Sequence, residues 1–343
     1  MPTENDPFRD SGPLGSNSDG ARRVAASNLV FVISECKPCG QEGALIVFEC
    51  ARWDVEIPAD GRALSATVSC PDGVSKGGLI LLHPSNDGSR RQFLFEDLAT
   101  RLPMLGITVL RYDRRPKIED ADVPHEHQVA DVEHALRWYR EHLGPEPVGL
   151  WGFSQGAWVA ILAAAADPSI AFVVVVGGSA VSPAIQMRYG AAEQLRRAGY
   201  GSAALGELAA LRLAWEGWQR GVVSREAAQN TINQFAGRPW FTLSWVPPVV
   251  PEHPSWADMD FDPAETISAL RCPVLAFYGH DEWIPVADSV KVWESRITDP
   301  GQLTIHYLDG AGHHPILHDG RAIDAISPAY TETMDRWILD RVA

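Results

Sequence analysis

Residues 148–160 read VGLWGFSQGAWVA, and this stretch decides the fold. The apolar run 148–151 predicts a short buried strand, and the apolar, alanine-rich run 157–166, free of Gly and Pro, predicts a helix. Between them stands Gly152-Phe153-Ser154-Gln155-Gly156. Strand, tight turn and helix form the context that a G-x-S-x-G nucleophile elbow requires. A serine at the apex of such a turn holds a strained backbone conformation that brings together the residues two before and two after it. Only small side chains fit there. The Ser154 hydroxyl is then expected to stand clear of the sheet, above a helix N-terminus whose free N–H groups and positive dipole end favour a developing oxyanion.

Two later stretches fit the same chemistry in the order Ser…Asp…His: residues 272–285, CPVLAFYGHDEWIP, and residues 303–314, LTIHYLDGAGHH. On these three motifs the chain resembles the α/β-hydrolase superfamily, and more narrowly its dienelactone-hydrolase and prolyl-oligopeptidase-like branch of small serine hydrolases. The resemblance runs from about Gly77 to the C-terminus. It implies an α/β fold: a mostly parallel central sheet flanked by helices, with a helical lid inserted before the acid-bearing strand. It also implies a triad. Ser154 matches the nucleophile, and Gly310-Ala311-Gly312-His313 matches the loop that carries the histidine, His313; its neighbour His314 packs or lines the pocket.

The acid rests on spacing. In the family it commonly lies three residues after a glycine and four before a proline. Gly279-His280-Asp281-Glu282-Trp283-Ile284-Pro285 is one residue short of that pattern. Counting back from Pro285 gives Asp281; counting on from Gly279 gives Glu282. Asp281 is the expected acid, because Asp is the commoner choice and the proline opens the following helix, with Glu282 as the alternative.

The oxyanion hole departs from the family pattern. Related hydrolases usually carry His-Gly after the strand matched here by residues 78–82. This chain has His83-Pro84-Ser85, and Pro84 has no N–H. The expected donors are therefore the backbone N–H groups of Gln155 and Ser85, with His83 expected beside the substrate. Where the family often continues with Gly-x-Gly-x-Ser, this chain has Pro116-Lys117-Ile118-Glu119.

Working outward, residues 1–25 are rich in Gly, Ser, Asp, Asn and Pro and are expected to be disordered. Residues 28–35 with 44–49, and 53–58 with 62–70, predict two hairpins, the second turning at Ala59-Asp60-Gly61. Residues 90–105 predict a helix, 107–112 a strand, 125–142 a helix and 171–176 a buried strand. The next strand is 273–278, about 95 residues on, where a single crossover helix needs far fewer. The excess, residues 182–262, is expected to be the lid, leaving residues 26–181 and 263–343 as the core. Helices are predicted at 191–199, 203–219 and 224–235, with Ser224 as an N-cap. Leu208, Leu211, Trp215 and Trp218 make one stripe at helical spacing, and residues 241–262, with four prolines, read as irregular chain. Trp215, Trp218, Trp240, Trp245 and Trp256 crowd this region, and some of them, Trp215 and Trp218 first, are expected to bind substrate, because a lid sits over the strand ends where ligands bind.

Composition bounds the partners. The 343 residues are 45% hydrophobic and 21% charged, ordinary for a soluble domain with a large core. A net charge of −15 argues against nucleic acid and against an anionic membrane, since either needs a basic face. No apolar run approaches a membrane span, and no signal peptide is visible, so a cytoplasmic protein is expected. Five cysteines fit reduced thiols, and Cys36-Lys-Pro-Cys39 lacks the βαβ setting of a redox motif. His127, Asp131 and His134 share a helix face that reads as solvated rather than metal-binding. No cofactor and no metal are expected: there is no G-x-G-x-x-G after a strand and no G-x-x-x-x-G-K-[ST].

The expected function is a serine hydrolase acting through an acyl-enzyme on Ser154, on an ester, thioester or related acyl bond of a small apolar or aromatic molecule. The alternatives are an acyltransferase or cyclase using the same triad, and a binding protein that kept the fold and lost the chemistry. Three motifs in register argue against the last. A homodimer is left open.

Overall fold

The computed structural model describes residues 51–117, 121–280, 282–317 and 323–343. The N-terminal segment, the first hairpin, Cys36 and Cys39 fall outside them. Eight strands form one sheet: β1 (Ala51–Ala59), β2 (Arg62–Cys70), β3 (Gly77–Leu82), β4 (Ile107–Tyr112), β5 (Val148–Phe153), β6 (Val173–Val176), β7 (Val274–Gly279) and β8 (Leu303–Leu308). Their order across the sheet is β1-β2-β4-β3-β5-β6-β7-β8. The hairpin β1–β2 joins β4 antiparallel, and every pairing from β4 onward is parallel. The hairpin turns on Asp60 and Gly61, both at positive φ.

Every residue of β3, β4, β5, β6 and β7 is buried. That is why these strands read as continuous apolar runs instead of alternating ones: both faces are covered by helices. On one face pack α2 (His125–His142), α3 (Gln155–Ala166), α7 (Pro263–Ala269) and α8 (Val286–Arg296); on the other pack α1 (Phe93–Met104) and α9 (Pro328–Val342). Trp151, fully buried in β5, donates its indole N–H to the Tyr330 hydroxyl of α9 at 2.8 Å and so satisfies two polar groups that burial would otherwise strand.

The predicted elements stand with small shifts. Helix α1 begins at Phe93 rather than Arg90, because Arg90 leaves the helix path and binds Asp113 through both its backbone N–H and its guanidinium. The surplus chain between β6 and β7 folds as α4 (Pro183–Arg197), α5 (Ser202–Gln219), α6 (Arg225–Phe235) and a 3-10 turn at Phe241–Ser244. Helix α4 starts eight residues before the predicted 191, at the Ser182 N-cap, followed by proline in the first turn. Ser224 caps α6 as expected, accepting from the Ala227 N–H at 3.1 Å. This insertion has its own apolar cluster, in which Leu208, Leu211, Trp215 and Trp218 all take part.

On the α2 face of His127, Asp131 and His134, His127 is exposed as expected but Asp131 is not. Asp131 is buried and its carboxylate accepts from the guanidiniums of Arg62 and Arg115. His134 pairs instead with Asp60 at 3.0 Å. No described helix is long and apolar enough to cross a membrane.

Candidate active site

The turn between β5 and α3 has the predicted geometry. Ser154 sits at φ 54°, ψ −115°, a conformation that costs an L-residue energy and persists only where the surroundings impose it. Its own N–H donates to the Val176 carbonyl at 2.9 Å, which ties the turn to β6. A Cβ on Gly152 would run into the backbone of Gly156, and a Cβ on Gly156 would run into the carbonyls of Leu82 and His83. Both glycines are there because backbone occupies the space.

Ser154 and His313 line one cavity of about 710 Å³ at the C-terminal ends of the strands. The His313 ring packs against Trp283 and Phe153, with centroids 4.5 Å and 5.1 Å apart. Its Nδ1 lies 2.9 Å from Glu282 Oε2. Glu282 is almost wholly buried, and among the described residues its other carboxylate oxygen has no hydrogen-bond partner. A carboxylate only accepts, which puts the proton on Nδ1 and leaves Nε2 as the acceptor nitrogen. That Nε2 is buried and unbonded. The glycine count therefore gives the carboxylate that reaches the histidine. Asp281, favoured by the proline count, lies outside the described residues. Gly279 closes the arrangement: a Cβ there would strike the carbonyls of Ala311 and Gly312, so the acid strand and the histidine loop touch backbone to backbone.

Ser85 and Gln155 both line the cavity, and among the described residues neither backbone N–H has another hydrogen-bond partner. The Gln155 side chain is held at both ends: Oε1 accepts from Arg114 at 2.8 Å, and Nε2 donates to Asp122 Oδ2 at 2.6 Å. Burial presses the Arg114 pKa below its usual value, against the pull of Asp122 and other neighbours, yet guanidinium stays charged.

Two expected substrate contacts are corrected. His83 is buried away from the cavity, edged against Phe95 and Tyr112, and burial drives its pKa down to about 3, so it is a neutral core ring. Trp218 is a core residue of the insertion, its ring 5.1 Å from that of Trp215. Trp215 does line the cavity, together with four tryptophans not singled out by the periodicity: Trp158, Trp245, Trp256 and Trp283. His314 lines it too. Among the described residues no cluster of His, Cys, Asp and Glu has metal-binding geometry. A separate hollow of about 670 Å³ between β1 and α2 holds His134 and His142 but no serine, threonine or cysteine, so it has no comparable nucleophile.

Comparison with known proteins gives the setting. The model of the alpha/beta hydrolase family matches residues 79–326, well over half of the chain. Among solved structures, the proline iminopeptidase of Mycobacterium smegmatis superposes with a TM-score of 0.55 at 16% identity, over 84% of this chain and 99% of that one. The Pyrococcus furiosus esterase Pf2001 does so with a TM-score of 0.56 at 17% identity, over 86% and 94%. Identities this low speak for the fold alone. No curated protein matches the sequence.

Proposed function

The chain belongs to the alpha/beta hydrolase family, and we propose that within it this protein is a serine hydrolase cleaving acyl bonds through Ser154, His313 and Glu282. The observation that carries the reading is the 2.9 Å bond from His313 Nδ1 to Glu282, in a cavity shared with a serine at a strained elbow. Ser154 Oγ attacks the acyl carbon while its proton passes to His313 Nε2. The carbonyl electron pair collects on oxygen, which the Gln155 and Ser85 N–H groups stabilise. The intermediate collapses, His313 returns the proton to the leaving group, and an acyl-enzyme remains. Water, deprotonated by the same nitrogen, releases the acid and frees Ser154. Glu282 holds the tautomer and stabilises the imidazolium.

Residues 182–262 act as a lid. They roof the cavity with Trp215, Trp245 and Trp256, which suits an apolar or aromatic acyl or alcohol group. Fluorophosphonate labelling, followed by a panel of chromogenic esters, thioesters and anilides, tests the reading. The expected result is one label, on Ser154, and turnover that favours bulky apolar esters. A folded chain that takes no label would sink it.

A further inference from the structure

An oxyanion hole needs two N–H groups aimed at one point, and here they come from loops far apart in sequence. Arg114, on the chain just after β4, joins those loops. Its Nη1 donates to the Pro84 carbonyl at 2.9 Å and to Gln155 Oε1 at 2.8 Å, and its Nη2 donates to the Ser85 carbonyl at 2.9 Å. Its backbone N–H donates to the Gly88 carbonyl at 2.9 Å, farther along the same loop. Arg114 is not part of the cavity wall, so whatever it does to the reaction it does through these partners.

The choice of acceptors matters. The Pro84 carbonyl and the Ser85 N–H belong to one planar peptide unit. A guanidinium gripping the oxygen of that plane fixes where the N–H at its other end points. The positive charge also draws electron density toward the oxygen and strengthens the N–H as a donor. Pro84 itself suits the task. With no N–H of its own and φ locked near −65°, it leaves that peptide few other orientations. On the other loop, the Gln155 amide is oriented without ambiguity. Its oxygen faces a group that only donates, and its nitrogen faces the Asp122 carboxylate, which only accepts. A residue whose side chain is held at both ends has little freedom to swing its backbone N–H.

We propose that Arg114 is the positioning residue of the oxyanion hole: one guanidinium aligns the Ser85 and Gln155 N–H groups on the same point and polarises the Ser85 peptide. The inference rests on the serine-hydrolase reading above. A forked, planar cation meets the three acceptors from two nitrogens in a fixed geometry, whereas the three donors of an ammonium radiate from one atom.

The test uses the full chain and the variants Arg114→Met, Arg114→Lys and Gln155→Leu. A fluorophosphonate reports the rate of phosphonylation at Ser154. p-Nitrophenyl butyrate reports kcat and KM per labelled site, and an alkyl trifluoromethyl ketone reports binding of an oxyanion adduct. In Arg114→Met, phosphonylation and kcat are expected to fall about 10–100-fold, the loss that a misdirected donor produces, with KM nearly unchanged. Ketone affinity should fall in step with kcat. Arg114→Lys should lie between, and Gln155→Leu should lose less than Arg114→Met. If Arg114 merely braces the fold, melting temperature and soluble yield drop while rates per labelled site stay at the wild-type value, and the proposal is overturned. Should Arg114→Met not fold, wild-type rates in both Arg114→Lys and Gln155→Leu overturn it equally. A wild-type chain that takes no label removes the hydrolase reading and this inference together, whereas a labelled wild type with unaffected variants removes only the inference.

Discussion

The elbow and the acid loop bring their side chains to one cavity, yet they are held by different means. The elbow is braced chiefly by the sheet: Ser154 is tied to β6, and Gly152 and Gly156 are pressed against backbone of their own turn, of β3 and of His83. The acid loop leans on the insertion. Arg197, the last residue of α4, donates through Nη2 to the Glu282 carbonyl at 3.0 Å. Trp283 meets Trp245 edge-on at 5.2 Å, and a Cβ on Gly190 of α4 would enter both rings. The same Trp283 covers the His313 imidazole. So the insertion also buttresses the segment that carries Glu282. If Ser154 is the nucleophile and Glu282 the acid, as proposed, a core that braces the one and borrows support for the other should show two classes of mutational effect.

The largest effect belongs to the elbow. Ser154→Ala should leave the protein folded and lower turnover on the order of a million-fold, since loss of a triad nucleophile leaves only binding and the oxyanion hole. Assay of the purified variant on the best chromogenic ester checks this. Residual activity at a tenth of wild type would take the nucleophile role away from Ser154.

Next comes the acid. Glu282→Gln keeps the volume and removes the charge. It should lower kcat by about ten-thousand-fold, because the amide cannot stabilise the imidazolium and turns the ring tautomer the wrong way. Asp281→Asn should cost little. The reverse ranking would return the role to Asp281 and break the contrast drawn above.

These two residues mark what the sequence makes legible. The elbow is a local event in which a strand, two glycines and a helix meet within nine residues, and each element has its own signal. The acid loop is not local. Two adjacent carboxylates and a spacing one residue short leave two answers in the sequence, and the contact that favours Glu282 is with His313, 31 residues away. Periodicity put Trp215 and Trp218 on one stripe, and both are buried. It could not say which would face the cavity, because the opposite wall comes from other parts of the chain. Arg114 carries no motif. It stands in a run with Arg111 and Arg115, and the three go to different partners: Arg111 to Glu96, Arg114 to the oxyanion loop and Arg115 to Asp131.

The two tryptophans give a smaller and more selective effect. Trp215→Ala should lower kcat/KM for bulky apolar esters by roughly 1–3 kcal/mol and change acetyl esters little. Trp218→Ala should instead destabilise the insertion by about 3–5 kcal/mol with the ester preference intact. Melting curves beside kcat/KM across an ester series separate the two. Equal effects of both substitutions on specificity would mean that the stripe acts as one surface.

The smallest effect tests the comparison most directly. Arg197 is half-exposed, and it also bonds Glu193 one turn back in α4 at 3.0 Å. A hydrogen bond of this kind is worth about 1 kcal/mol, and the partly solvated ion pair beside it adds less. Arg197→Met should therefore reduce kcat only about 3–10-fold. Arg197 lines no part of the cavity, and its bond to the Glu282 carbonyl gives the loss a route to His313. The loss should fall on kcat for acetyl and bulky esters alike, with KM steady, unlike the substrate-selective loss from Trp215→Ala. Combining it with Glu282→Gln supplies the control: once the carboxylate is gone, Arg197→Met should have nearly no further effect. If the two losses multiply instead, Arg197 acts on the site by some route other than the acid, and the acid loop is as independent of the insertion as the elbow is.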